Sequence, residues 1–242
     1  MTTLLIDADV LLYQAAVLSE DEFDPGQRVY DVEAAKQEFD KRLETWRKAD
    51  PWGDFVLCIS SAVPNFRREM SDDYKAGRRE KPLAYAELLA WVLGRYPCER
   101  VDRLEADDVM GLLSGPGKTI VSPDKDMKTI PGRLYNPLAE KVVVISPHEA
   151  DWWWMYQVIC GDPVDGYKGI PRAGDKAARR ILGDTPRPAA DLWPAVLAAY
   201  RSKQLPDDYA TLQARLARIL RPGDFDWKAG AIALWEPEGM TE

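Results

Sequence analysis

Carboxylates recur in this sequence at places from which they could converge. Asp7 and Asp9 follow an apolar run in LLIDAD, and Glu105, Asp107 and Asp108 stand together in EADD. Asp124 and Asp126 lie in PDKD, and Asp162 and Asp165 lie in GDPVDGYKGIP. Each group alone is ordinary: the helix dipole favours acids in a first turn, and Asp-rich turns with Gly and Pro are common. Brought together they would repel one another, which is tolerable only if cations neutralise them. Hard divalent ions on oxygen ligands suit such a set. Two Mg²⁺ or Mn²⁺ ions roughly 4 Å apart could bridge the acids, activate a water and stabilise the leaving oxygen of a phosphodiester. The single histidine, His148, rules out His-rich zinc sites and argues against a Ser/His/Asp triad.

The elements that would position these acids can be read from the apolar pattern. Residues 3–7 form a short buried strand and 10–18 an apolar helix, while 32–48 form a surface helix and 54–60 a second buried strand. Residues 64–82 are polar and basic, and 83–96 and 105–114 are helices. Strands follow at 118–124 and 141–146. Strands alternating with helices imply an α/β fold with a mainly parallel sheet, and ligands of such sheets bind at the carboxyl ends of the strands. Asp7, Asp9, Asp124 and Asp126 all follow strands, and Glu105 and Asp108, three apart, share one helix face. From Ser146 the character changes. Ser146-Pro147-His148-Glu149 combines an N-cap Ser, Pro at N1 and Glu at N3, and helices with Gly/Pro loops follow. Two parts are therefore expected, 1–145 and 146–242.

Length and composition fit a soluble globular protein with a substantial core, at 242 residues, 46% hydrophobic and 30% charged. The start lacks a basic n-region, and Asp7 and Asp9 interrupt its apolar run, so it does not read as a signal peptide. No apolar stretch is long enough to span a membrane. The three cysteines, Cys58, Cys98 and Cys160, match no zinc spacing and suggest core residues in a reducing cytoplasm. The net charge of −8 argues against a nucleic-acid protein when taken alone, but the nine clustered acids more than account for it. The stretch 67–81 carries Arg67, Arg68, Lys75, Arg78, Arg79 and Lys81, which without further context is a solvated face. Trp152-Trp153-Trp154 cannot share one helix face, so at least one should be peripheral, with packing between the helical part and the sheet expected for the others. His148, at a helix start, reads as structural.

Taken in order, LLIDADVLLYQA, PNFRREMSDDYKAGR, LEADDVMG, VSPDKDMKTIP, EADWWWMYQVICGDPVDGYKGIPRAGDKAA and a late ARILR resemble the 5′→3′ exonuclease and flap endonuclease superfamily, with its PIN-like catalytic domain. Within it the likeness is nearest to the exonucleases of T-seven-like podophages. It covers most of the chain, and six motifs in family order make chance a poor explanation.

The resemblance implies a PIN-like α/β fold, a helix-three-turn-helix in the helical part, and roles for matched positions. Asp7, Glu105, Asp107, Asp108, Asp124, Asp126, Asp162 and Asp165 would hold two Mg²⁺ or Mn²⁺ ions, with Asp107 and Asp108 central to catalysis and Asp9 one step behind. Lys75 and Arg78 would approach the scissile phosphate, Tyr74 would stack on a base, and Arg67 and Arg79 would contact DNA in the arch over the site. Gly169 and Gly174 would present backbone amides to a phosphate, and Arg172, Lys176, Arg179 and Arg180 would bind duplex backbone, with K⁺ at the turn. Many relatives carry an acid at the end of the second strand, where this chain has Ser60-Ser61, which puts one metal's affinity in question. The implied partners are duplex DNA with 5′ ends, gaps or flaps, and RNA primers in hybrids, bound by a monomer in the cytoplasm of a phage host. A PIN-like ribonuclease and a non-catalytic binder of branched DNA are the alternatives.

Overall fold

The computed structural model describes residues 2–24 and 27–237. It begins with β1 (Thr3–Asp7), in which Leu4 and Ile6 face one core and Leu5 another. Burial on both faces marks an interior strand of a parallel sheet. α1 (Ala8–Leu18) follows directly, with the Asp7 side chain as its N-cap. A hairpin of β2 (Glu20–Asp24) and β3 (Gln27–Tyr30) leads into α2 (Val32–Trp46), capped by Asp31. Next come β4 (Asp54–Cys58), the short α3 (Arg67–Met70), α4 (Tyr85–Arg95), β5 (Cys98–Glu99) and α5 (Ala106–Leu113). β6 (Lys118–Val121), β7 (Gly132–Asn136) and β8 (Lys141–Ile145) complete a six-stranded sheet in the order β5-β4-β1-β6-β7-β8. All neighbours in it are parallel except β7 and β8.

The mainly parallel α/β sheet expected from sequence is present, with its strands and helices close to the predicted bounds. β7 was not anticipated, nor was the hairpin at 20–30: GRLYN and EDEFD lack a clean apolar alternation. Helices cover both faces of the sheet. Leu4, Ile6 and Leu57 pack under α1, α2 and α4 with Phe39 and Trp46, while Leu5, Cys58 and Ile120 pack under α5 with Val109 and Met110.

The later part is helical, as expected: α6 (Pro147–Cys160), α7 (Asp175–Leu182), α8 (Ala189–Arg201) and α9 (Asp207–Ala217). The predicted capping box is formed, with Glu149 N donating to Ser146 Oγ and Ser146 N to the Glu149 carboxylate. Trp154 lies inside this helical part, 1% exposed, with Nε1 donating to Ala214 O at 2.9 Å. The tryptophans thus correct one expectation: Trp152 and Trp154 join the core among the helices and do not bridge to the sheet. Trp153 is the peripheral one, half-buried beneath Lys128. His148 is exposed in the first turn of α6. After α9 the chain returns to the α5 face of the sheet, where Ile219, Leu220 and Phe225 join Val109 and Leu112 before the small pair β9 (Phe225–Asp226) and β10 (Ala231–Ile232). Among the described residues no helix is long and apolar enough to cross a membrane.

Candidate active site

β1 and β6 are adjacent, and the chain leaves β1 towards β4 on one side and β6 towards β7 on the other, which opens a crevice at their carboxyl ends. Asp7 is the last residue of β1, 2% exposed, and accepts bonds from Val10 N (3.3 Å) and Ser122 Oγ (2.8 Å). Burial, then the neighbouring Asp9, pushes its carboxyl up to about 7 despite these bonds, and Asp124 adds to the effect. Asp9, in the first turn of α1, accepts from Ser60 N at 3.2 Å. Beyond β6 a single 3-10 turn, Lys125–Thr129, is capped by Asp124, whose side chain accepts from Asp126 N. Asp126 takes a 2.6 Å bond from Gln157 Nε2. Its carboxyl is pushed up to about 7 by burial and then by Asp124, with Asp162 and Asp165 adding and Lys125 opposing.

The start of α5 supplies the second bank of acids. Asp107 is pushed well above the usual carboxylate range by burial, then by Asp7 and Asp124. The charge of Asp124 therefore acts on Asp7, Asp107 and Asp126, and that of Asp7 on Asp107. Glu105 is different. Tyr74 Oη donates to it at 2.8 Å and Lys75 Nζ at 2.6 Å. Burial raises its carboxyl, but Lys75 and then Arg67 outweigh burial and hold it below the usual range. Asp165 lies 3.4 Å from Lys75 and 3.5 Å from Arg78. Asp162 accepts from Val164 N and Asp165 N, with Lys125 Nζ at 3.8 Å.

The eighth predicted ligand, Asp108, does not face the crevice. It is 0% exposed, and both of its oxygens are taken by Arg67 at 2.7 Å and by the backbone amides of Glu105 and Leu220. This corrects the expectation of a catalytic, metal-holding Asp108, and of Arg67 as a DNA contact, because Arg67 is itself only 2% exposed. Tyr74 is corrected in the same way: a ring 2% exposed, with its hydroxyl on Glu105, has no face for a base. Among the described residues no three His, Cys, Asp or Glu side chains are grouped closely enough to grip one ion as they stand.

Lys75 is held with unusual care. It is 7% exposed with φ at 53°, and its backbone N donates to Asp165 O at 2.9 Å. Gly166 permits this approach, since a Cβ there would meet Asp73 O at 2.1 Å. Burial disfavours the ammonium, but Glu105 and Asp165 more than offset that and keep it charged. Arg78 and Arg79 are exposed beside it.

The turn between α6 and α7 is built by Gly161 and Gly169, with φ of 70° and 58°. A Cβ on Gly169 would meet Gly161 N at 2.4 Å. Gln213 braces the turn, its side-chain oxygen accepting from Lys168 N and Gly169 N at 2.9 Å each. Gly174 caps the start of α7, with Arg172 and Lys176 exposed beside it and Arg179 and Arg180 exposed in the last turn. Arg179 bonds Asp175 and lies over Trp152.

Sequence reasoning missed three supporting residues: Ser122, Gln157 and Gln213. Ser122, directly after β6 in VSPD, could have been suspected from its place. The Ser60 hydroxyl accepts from Ala106 N at 3.0 Å, so it ties the end of β4 to the start of α5.

The family model "5'-3' exonuclease, N-terminal resolvase-like domain" matches residues 2–146. The chain is 31% identical to the "Exonuclease" of Escherichia phage T7, over 97% of this chain and 93% of that protein. It is 32% identical to the "Exodeoxyribonuclease" of Enterobacteria phage T3, over 97% and 92%. The fold matches that of T5 5′-exonuclease, solved with bound divalent metal ions (zinc), at a TM-score of 0.61 and 15% identity, over 89% of this chain and 88% of that one. Asp7, Asp9, Glu105, Asp107, Asp124 and Asp126 sit within the span of the matched family domain, and the likeness to the phage exonuclease continues through the helices beyond it, which carry Asp162 and Asp165. The chain belongs to the 5′→3′ exonuclease family of DNA-hydrolysing nucleases.

Proposed function

We propose that this nuclease removes nucleotides from the 5′ ends of duplex DNA, at ends, gaps and flaps, and from RNA primers in hybrids. The observation that carries this reading is the crevice itself: Asp7, Asp107 and Asp126 are pushed towards protonation by burial and by neighbouring carboxylates, and Lys75 stands at the crevice wall on Glu105 and Asp165. Such an unbalanced set of oxygen donors fits hard divalent cations. Asp7, Glu105, Asp107, Asp124, Asp126, Asp162 and Asp165 would hold two Mg²⁺ or Mn²⁺ ions, which supply an activated water and charge stabilisation for phosphodiester hydrolysis.

The chain's own groups do the rest. Lys75, held in its charged form by Glu105 and Asp165, and Arg78, exposed beside it, orient the scissile phosphate and offset the charge that develops on it. Glu105 and Asp165 hold Lys75 in place until a phosphate competes for its protons. The exposed cations Arg172, Lys176, Arg179 and Arg180 grip duplex backbone as a helix-three-turn-helix, with Gly169 and Gly174 allowing close approach and K⁺ bound at the turn. Residues 1–145 carry most of the chemistry, and 146–242 supply Asp162 and Asp165 together with the duplex grip, in a monomer working in the host cytoplasm.

Digestion of 5′-labelled and 3′-labelled duplexes, with and without a 5′ flap, in Mg²⁺ and in EDTA tests the reading. Metal-dependent release of short products from the 5′ label is expected. Intact DNA in both Mg²⁺ and Mn²⁺, with binding preserved, would instead make the protein a binder of branched DNA.

A further inference from the structure

The EADD tetrad contains one acid whose oxygens are fully occupied within the protein. Asp108 Oδ2 accepts from Arg67 Nη1 (2.7 Å) and Glu105 N (3.2 Å), and Oδ1 from Arg67 Nη2 (2.7 Å) and Leu220 N (3.1 Å). Arg67 is equally committed. Its Nε donates to Leu216 O at 3.1 Å, its Nη2 also reaches Arg218 O, and its Nη1 lies 3.5 Å from Glu105. Four of the five N–H groups of the guanidinium fork thus have a hydrogen-bond acceptor, the fifth faces Glu105, and the rings of Phe66 and Tyr74 flank it.

A buried ion pair is weak as a source of stability, and its better-attested use is to fix one arrangement among several. Here it joins three distant pieces of chain: the Arg67–Lys75 stretch, the start of α5, and the segment after α9. Two of the groups it orients face the crevice. Glu105 N is held by Asp108 while the Glu105 carboxylate carries Lys75, and Asp107 lies between them in sequence.

We infer that Arg67 and Asp108 are a pair of positioning residues for the cleavage reaction. They touch neither ion nor DNA. They set the first turn of α5 so that Glu105 and Asp107 face the crevice with Lys75 in place, and they tie that geometry to the segment on which the helical part is seated. The inference rests on the nuclease reading. A wild-type digestion tests that reading separately, and the pairing is tested only relative to wild type.

The experiment compares Asp108→Asn, Arg67→Met, Arg67→Lys and the apolar double variant Arg67→Met/Asp108→Leu. For each, Ca²⁺ and Mn²⁺ binding is measured by calorimetry, together with thermal midpoint, kcat and KM. Loss of a partner that orients ligands from behind typically costs 10–100-fold, so Asp108→Asn and Arg67→Met should each lower kcat by roughly that factor with KM little changed and ion stoichiometry unaltered. The double variant should be no worse in kcat than either single variant, since both break one pairing. Its midpoint should recover relative to the singles while its kcat does not, a separation that a purely structural pair would not produce. Arg67→Lys, which keeps the charge but not the fork, should rescue little. Loss of one bound ion in Asp108→Asn with Arg67→Met near wild type would overturn the inference and make Asp108 a ligand. Recovery of both midpoint and kcat in the double variant would also overturn it.

Discussion

Raising the pH should destabilise the ion-free protein, because its crevice is short of positive charge. Asp7 is 2% exposed, and its carboxyl is pushed up to about 7 from an ordinary value of 3.8. A carboxyl raised on folding favours the folded state while it stays protonated, and that contribution is lost as pH rises towards its folded pKa. Between pH 5 and 7 the folded Asp7 keeps its proton and the unfolded one does not, so the loss spans about two units at ~1.36 kcal/mol each. Asp7 alone then accounts for about 3 kcal/mol, or roughly 6–12 °C in a chain of this size. Asp126, also pushed up to about 7, acts in the same direction. Glu105 runs the other way: its carboxyl lies below the usual range, so its contribution is lost only at more acid pH, outside this window. Thermal midpoints in EDTA should therefore fall from pH 5 to pH 8, and 10 mM Ca²⁺ should flatten the curve by balancing the ionised acids. Asp7→Asn should lower the slope in EDTA and weaken the Ca²⁺ effect. A midpoint that is constant or rises with pH in EDTA, or an Asp7→Asn slope equal to wild type, would refute the reasoning.

Lys75→Met should lower kcat by about 10²–10³, the range seen for loss of one group stabilising developing charge, with duplex binding in Ca²⁺ retained by gel shift. Lys176→Ala should weaken duplex binding and reduce the slope of log K against log salt by about 0.9, read from titrations between 50 and 200 mM KCl. Trp154→Ala removes a ring 1% exposed that donates to Ala214 O, and should cost about 3–5 kcal/mol in chemical denaturation. Gly169→Ala should be poorly tolerated, since φ is 58° and its Cβ would press on Gly161 N at 2.4 Å; a soluble variant with wild-type duplex affinity would count against the role given to this turn.

Much of the fold was legible because its signals are local. The apolar runs of β1, β4 and β6 and the Ser146 capping box need only neighbouring residues to be recognised. The acid crevice was legible too, from strand ends that must share one edge. The Arg67–Asp108 pair was not. Its partners lie 41 residues apart, and Arg67 also bonds the carbonyls of Leu216 and Arg218, which any residue type could provide. An arginine among six cations in a surface-like stretch gives no sign that it is fully buried. Tyr74 was misplaced for the same reason, and Gln213, on α9, reaches a turn more than 40 residues away.

The return of the chain to the sheet after α9 has a consequence for how the molecule is made. Gly111 in α5 has space for no side chain because Leu220 O lies where a Cβ would be, at 2.0 Å. Ile219, Leu220 and Phe225 fill the core above Val109, Met110 and Ile130. During synthesis the sheet can assemble early, but its α5 face stays open until the last few dozen residues emerge. A fragment ending near residue 145 would expose that apolar face and leave Asp108 without the Leu220 amide. The acid crevice is therefore completed last, by a segment from the far end of the chain, and a truncated product would lack a finished crevice.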